Sequence, residues 1–270
     1  LGERESASLV ETLLREVRAA ARRPRAARTL LLDVDGTLAP IAPTPEQAAV
    51  PARTIEALRG LVESAYSVVV VSGRAASEVR RMLPVRELLV FGSHGAERPP
   101  GFAGAPPTPP SGEALERLAR IRSSVGALAE RHPGVRLEPK PAGLAIHDRA
   151  LGSAEERRWR AALGAWLTVQ DLAGLEVLAG KRVVELRPHG VHKGLAVVAV
   201  AERLGGSGED ASFLAIGDDA TDEDMFREMR GRGLGVHVGP AGARTLAERR
   251  LDSPEDVGEF LLRLAEAGRD

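Results

Sequence analysis

Leu30-Leu31-Leu32-Asp33-Val34-Asp35-Gly36-Thr37-Leu38 runs three consecutive apolar residues into two carboxylates and a glycine. A continuous apolar run bounded in this way reads as a parallel strand covered on both faces. In open α/β sheets, ligands gather beyond the carboxyl ends of such strands, which is where Asp33 and Asp35 fall. Period-two alternation places both side chains on one side of the extended chain, and Gly36 lets the backbone turn sharply behind them. Two carboxylates held this close repel unless a cation lies between them or one carries a proton. A plain Asp-Gly turn would account for Asp35 but leave Asp33 without a reason.

The remainder of the chain has to supply a sheet for that strand. With 270 residues and 43% hydrophobic content, the chain can bury a sizeable core and sits near the length at which one core gives way to two, so a main domain with an insertion is expected. A formal net charge of −1 exerts no long-range pull on nucleic acid or anionic membrane, and neither is expected as a partner. Without cysteine there is no disulfide framework and no thiolate metal site. No secretory signal or long apolar span is visible, which makes the cytoplasm the expected compartment. Only Lys140, Lys181 and Lys193 are lysine among 37 basic residues. Lysine that survives such an arginine bias marks places where a compact ammonium does what a planar guanidinium cannot.

Residues 1–28 read as an amphipathic helix with Leu9, Val10, Leu13, Leu14 and Val17 on one face, followed by a basic linker through Arg22 to Arg25. Its short stripe suits packing on its own domain or on a neighbouring subunit, which leaves a self-association or partner contact open. A helix over Ala52–Ser64 and a β-branched strand Ser67–Val71 follow. The second strand ends in Ser72-Gly73-Arg74, where a hydroxyl and main-chain N–H groups at a helix start suit a phosphate. A third strand, Leu88–Phe91, leads into Gly92-Ser93-His94-Gly95-Ala96-Glu97. Six prolines between residues 99 and 112 mark a hinge.

Beyond the hinge the rhythm changes. A helix over Glu113–Arg131 precedes an alternating hairpin, Val135–Lys140 and Leu144–Arg149, turning at Pro141, Ala142 and Gly143. A second helix over Ser153–Val169 has Ser153 as expected N-cap and turns Trp159 and Trp166 to its core face. Strands Leu175–Leu178 and Arg182–Leu186 complete a small antiparallel sheet covered by two helices. The expected division is therefore 1–28 as helix and linker, 29–108 with 188–270 as core, and 109–187 as an inserted cap. Within the resumed core, Lys193-Gly194 opens a helix and strand Ser212–Ile216 ends in Gly217-Asp218-Asp219-Ala220-Thr221-Asp222-Glu223-Asp224. Five acidic residues in seven positions at a strand end exceed what a solvated helix start requires. Gly233–Val238 is the expected last strand, and Ser253-Pro254-Glu255 starts the terminal helix.

Two of these segments carry a resemblance. Asp33-Val34-Asp35-Gly36-Thr37-Leu38 resembles the first motif of the haloacid dehalogenase (HAD) phosphatases, and Gly217 to Phe226 is similar to the last motif of trehalose-6-phosphate phosphatases, a branch of that superfamily. Leu137-Glu138-Pro139-Lys140, His147-Asp148-Arg149, Val184 to Pro188 and Lys193-Gly194 match further segments of that branch in the same order. Val34 stands where the branch usually has tyrosine and points away from the site. Asp148 stands where an aromatic is usual, which bears on how the cap lies on the sugar.

The resemblance implies an α/β fold, a Rossmann-like HAD core with a parallel sheet and an inserted α/β cap. It implies Asp33 as nucleophile and Asp35 as general acid and base. Mg²⁺ would be held by Asp33, the Asp35 carbonyl and Asp218, with Asp219 and Asp222 holding waters or orienting ligands. Lys193 and the Ser72-Gly73-Arg74 turn would take the phosphoryl oxygens, and Glu138, Lys140, Arg149, Lys181 and Glu185 the sugar hydroxyls. Trehalose 6-phosphate is the substrate this implies. A sucrose- or hexose-phosphate phosphatase, or a non-catalytic sugar-phosphate sensor, are the alternatives. His147, His189 and His192 fit no zinc spacing.

Overall fold

The computed structural model describes residues 2–21, 27–64, 66–102, 112–140, 143–180, 182–204 and 211–268. The chain divides into two compact units, residues 1–105 with 192–270, and residues 106–191.

In the first unit, β1 (Ala27–Leu32), β2 (Ser67–Val71), β3 (Leu89–Phe91), β8 (Ala211–Gly217), β9 (Gly233–Val238) and β10 (Arg249–Leu251) form one sheet in the order β10-β9-β8-β1-β2-β3. Every pairing in it is parallel. The apolar run that opened the reading is β1, and it lies inside the sheet between β2 and β8. Alternation along it feeds two cores. Leu30 and Leu32 join Val68, Val70, Leu214 and Ile216 on one face. Leu31 joins Val69, Val71, Phe213 and Ala215 on the other. The first face is covered by α1 (Gly2–Ala21), α2 (Ala52–Glu63) and α8 (Pro254–Ala267), and the second by α6 (Gly194–Leu204) and α7 (Glu223–Met229). The short α3 (Ala76–Met82) follows β2 and sends Val79 into the first core.

Burial on both faces explains why these strands are continuous runs of Leu, Val and Ile. Successive strands depart in opposite directions from β1, toward β2 on one side and β8 on the other, so the crevice at their carboxyl ends opens beside Asp33.

The second unit places β4 (Arg136–Lys140), β5 (Gly143–His147), β6 (Leu175–Gly180) and β7 (Val183–Pro188) in the antiparallel order β4-β5-β7-β6. Its core joins Leu144, Ile146 and Leu186 to Ala114, Leu118, Ile121 and Val125 of α4 (Gly112–Ala129) and to Trp159 and Leu163 of α5 (Ser153–Leu167). Trp159 is fully buried, whereas Trp166 is partly buried and its indole N–H donates to Ser124 Oγ at 3.0 Å.

The apolar stripe of α1 packs on its own domain: Val10, Leu13 and Leu14 are buried in the first core, and Glu16 pairs with Arg249 at 2.8 and 2.9 Å. Other expectations are corrected. Gly233–Val238 is not the last strand, because Arg249–Leu251 adds β10 beyond it; three residues with one buried apolar side chain carry too little pattern to be read. The N-cap of α5 is Gly152, without a side-chain cap, and Ser153 is already helical. By contrast Ser253 accepts from the Asp256 N–H at 3.2 Å as an N-cap should, with Pro254 at the first position. The linker at 22–25 and the turn residues Pro141 and Ala142 lie outside the described residues.

Asp148 lies just past β5, 3% exposed, and takes Arg182 Nε at 2.9 Å and Arg160 Nε at 3.2 Å. Its own carbonyl accepts from Arg182 at 2.6 Å, and Arg182 also reaches Glu156 at 2.6 Å and the Leu151 carbonyl at 2.9 Å. The residue that departs from the family pattern thus ties the β6–β7 turn to the start of α5 and holds Arg182 at a φ of 62°. Asp148→Ala is expected to lower stability by about 2 kcal/mol, below the usual cost of breaking a buried pair because both arginines are partly exposed. Urea unfolding measures it, and an unchanged midpoint would refute the assignment.

Candidate active site

Asp33 follows β1 directly, and its N–H donates to the Ile216 carbonyl at 3.0 Å, which fixes the end of β1 against β8. Its carboxylate is 4% exposed and accepts from Lys193 Nζ at 2.7 Å. Lys193 itself is 3% exposed and donates a second bond to Asp222 at 2.8 Å. The other Asp222 oxygen accepts the main-chain N–H groups of Asp218 and Asp219, at 2.9 and 3.1 Å. One carboxylate thereby folds the acidic loop into place and anchors the lysine.

Close approach is a condition of this arrangement. A Cβ on Gly36, whose φ is +89°, would stand 2.3 Å from Asp218 Oδ2, and one on Gly217 would stand 2.2 Å from Asp222 Cγ. Asp33, Asp218 and Asp222 each offer an oxygen within 4.8 Å of the others. Burial pushes the Asp33 carboxyl well above its ordinary range, with Asp222 and Asp218 adding to the rise against the pull of Lys193. Burial disfavours the Lys193 ammonium, yet Asp222 and Asp33 hold its pKa well above the usual lysine value.

Among the described residues, the three clustered carboxylates are buried beside the Lys193 ammonium. A donor set made of carboxylate oxygen alone fits a hard divalent cation. Asp219 lies at the edge of the cluster. Burial would raise its pKa, but Lys193 and the two hydrogen bonds from Thr221 at 2.8 Å hold it below the ordinary carboxylate range.

Asp35 has a different partner. Past Leu32 the chain leaves extended geometry and turns over residues 34–38, with Leu38 and Ala39 donating to the Val34 carbonyl. Period-two alternation therefore ends before Asp35, and Asp35 contributes no carboxylate to the cluster. Instead both its oxygens are taken by Arg74, from Nε at 2.6 Å and from a terminal nitrogen at 2.8 Å. Ser72 is 1% exposed at the end of β2, and its Oγ accepts from the Arg74 N–H at 3.2 Å, with Gly73 between them.

The 93–97 loop closes over this turn. Ser93 and His94, at φ of 49° and 56°, donate their N–H groups to the Arg74 and Ser72 carbonyls at 2.8 and 2.9 Å. Glu97 accepts from Ser93 Oγ at 2.6 Å and from the Ala76 N–H at 3.3 Å. His94 is 5% exposed and exerts a field on Asp219. The sequence reading did not place His94, Glu97 or Glu78 at the site. Two adjacent left-handed residues without glycine have no sequence signal.

In the second unit, the register sets Glu138 across from Ala145, and Ala145 across from Glu185. Lys140 lies across from Gly143 on the same face. Lys140 Nζ bonds Glu185 at 2.6 Å, and Glu138 bonds His147 at 2.7 Å, which holds the Glu138 carboxyl below its ordinary range. Leu137, Leu144, Ile146 and Leu186 face the core instead. Small residues between the two pairs leave a polar face with paired donors and acceptors. Arg149 follows β5 and is half-buried, and Lys181 lies outside the described residues.

The family profile described as trehalose-phosphatase matches residues 31–254. The chain is 32% identical over 245 residues to the Probable trehalose-phosphate phosphatase 4 of Oryza sativa subsp. japonica, covering 88% of this chain and 65% of that protein. It is 32% identical over 254 residues to the Trehalose-phosphate phosphatase B of Arabidopsis thaliana, covering 88% and 66%. The chain thus spans about two thirds of the length of these relatives. Its fold is that of the C. albicans trehalose-6-phosphate phosphatase C-terminal domain, with a TM-score of 0.81 at 24% identity over 95% of this chain and 96% of that one. A match over so much of the chain, with the acidic loop and the lysine of the site inside it, places this chain in the trehalose-phosphate phosphatase family of the HAD superfamily.

Proposed function

We propose that the chain is a Mg²⁺-dependent phosphatase that hydrolyses trehalose 6-phosphate to trehalose and phosphate. The observation that carries this reading is the buried carboxylate of Asp33, held by Lys193 beside Asp218 and Asp222. Asp33 Oδ attacks phosphorus, the bond from phosphorus to the sugar oxygen breaks, and Asp35 gives that oxygen its proton. In the second step Asp35 takes a proton from water, the water oxygen attacks phosphorus, and the bond to Asp33 breaks to release phosphate.

Lys193 and Ser72 hold the remaining phosphoryl oxygens, and in-line transfer depends on such positioning and neutralisation. Asp33, the Asp35 carbonyl and Asp218 would hold Mg²⁺, with Asp222 and Asp219 orienting the loop and its waters. When bound, the ion draws charge from the phosphoryl oxygens, so that an anionic Asp33 can approach an anionic phosphate. Sugar recognition falls to the polar face bearing Glu138, Lys140 and Glu185, and Arg149 and Lys181 complete the proposed set.

Phosphate release from a panel of phosphosugars, with and without Mg²⁺, tests the reading. Trehalose 6-phosphate should be hydrolysed fastest and only with the metal. Preference for a sucrose or hexose phosphate would move the substrate, and release from none would leave a sugar-phosphate sensor. Asp218→Asn should raise the Mg²⁺ needed for half-maximal activity by about tenfold or more and weaken Mg²⁺ binding measured by calorimetry. An unchanged Mg²⁺ affinity would remove Asp218 from the metal's ligands.

A further inference from the structure

The Arg74 guanidinium, in the turn after β2, is gripped by Asp35, Glu78 and the Pro45 carbonyl. Nε and one terminal nitrogen grip the two oxygens of Asp35 at 2.6 and 2.8 Å. The same terminal nitrogen reaches the Pro45 carbonyl at 3.0 Å, and the other terminal nitrogen is bound by Glu78, one turn along α3. The side chain is 6% exposed, and its main chain is pinned on both sides, by Ser72 Oγ at the N–H and by the Ser93 N–H at the carbonyl. Two of its N–H groups are committed to a bidentate carboxylate bond, the most demanding geometry the fork can make, and two more to Pro45 and Glu78.

We infer that Arg74 is a positioning residue for Asp35: clamped by Glu78 and the Pro45 carbonyl, it fixes the direction in which the acid–base carboxylate presents its proton, and it is not a phosphate ligand as the Ser-Gly-Arg turn alone suggests. Asp35 needs such a holder because it lies beyond the end of β1, in a turn, with its carboxylate about one third exposed. Arg74 brings to that turn the rigidity of α3, which is anchored to the core by Val79 and at its first N–H by Glu97. Glu78 offsets the charge of the guanidinium, so what the clamp supplies is direction. A side chain that must first donate and then accept a proton loses rate when its direction is left to chance.

This inference rests on the proposed acid–base role of Asp35, and the leaving group separates the two. A sugar alkoxide cannot depart without a proton, whereas 4-nitrophenolate can. In Asp35→Asn, the rapid release of nitrophenolate that accompanies phosphorylation of Asp33 should survive while single-turnover cleavage of trehalose 6-phosphate is lost. Arg74→Lys, which keeps the charge but not the fork, should show the same division. Its trehalose 6-phosphate cleavage should fall about tenfold or more, with the nitrophenolate burst within about threefold of the parent.

Arg74 and Glu78 also line a cavity of about 400 Å³ with Arg81 and Met82, so the space left by Arg74→Ala can be reached from solvent. Guanidinium ion, and not ammonium, should restore sugar-phosphate cleavage in that variant. Equal losses on both substrates in Arg74→Lys, or no loss on either, would overturn the inference while the Asp35→Asn result leaves the mechanism standing. If Asp35→Asn itself loses both substrates equally in the first step, the acid role of Asp35 falls and the inference falls with it.

Discussion

Asp33→Asn should leave a folded protein that turns over roughly 10⁵-fold more slowly than the parent, the scale seen when a covalent nucleophile is removed. An amide has no anionic oxygen to attack phosphorus, and no neighbour can replace it. Asp222 is held by Lys193 and two main-chain N–H groups, and Asp35 by Arg74. The fold should survive because the substitution removes one of three carboxylates crowded around a single ammonium. Burial already raises the Asp33 carboxyl, so a neutral group is tolerated there, and Lys193 keeps Asp222 as its partner. Turnover of a preparation shown by mass spectrometry to contain no reverted aspartate is the measurement. Activity near that of the parent would sink the mechanism.

The second large effect is expected at Lys193, where catalysis and stability coincide. Lys193→Arg should lower turnover about tenfold or more, corresponding to about 1.4 kcal/mol in the barrier. The planar fork cannot occupy the place of an ammonium seated between Asp33 at 2.7 Å and Asp222 at 2.8 Å. Lys193→Met should in addition destabilise the fold by about 3 kcal/mol, because two buried carboxylates lose their common counter-charge. Bound Mg²⁺ should return part of that stability.

Both Lys193 variants should fail on trehalose 6-phosphate and on nitrophenyl phosphate alike, since the lysine serves the phosphoryl group in either. Lys140→Met should lose only the sugar substrate, because its partner is Glu185 on the polar face of the second unit's sheet. Equal losses on nitrophenyl phosphate for the Lys140 and Lys193 variants would refute this division of labour.

The sequence was informative wherever structure follows from a local period. The run Leu30 to Leu32 reads as a doubly covered strand because both of its faces are apolar, and it sends alternate residues into two cores. The hairpin Arg136–His147 and the Trp159 face of α5 read correctly for the same reason. A chemistry-bearing strand end is legible because carboxylates in an apolar run have a cost that only a site explains. Even Lys193 was marked, through its rarity.

What only the tertiary structure decided concerns partners distant in sequence. Asp33 meets Lys193 across 160 positions, and Asp35 meets Arg74 across 39. No period in either segment encodes those distances. The turn after Leu32 gives the Asp35 carboxylate to Arg74, while Asp218 and Asp222 are the carboxylates that join Asp33 in the cluster. The short stripe of α1 suits its own domain or a neighbouring subunit, and the tertiary structure packs Val10, Leu13 and Leu14 into the core beside α8. Asp148 reads as a change at the sugar, and only the tertiary structure shows Arg182 and Arg160 on its carboxylate. Sequence alone determined which residue types must be buried and where charge must gather. Which charges face one another depended on how the strands are ordered and where each loop turns, and these follow from the packing of the whole sheet.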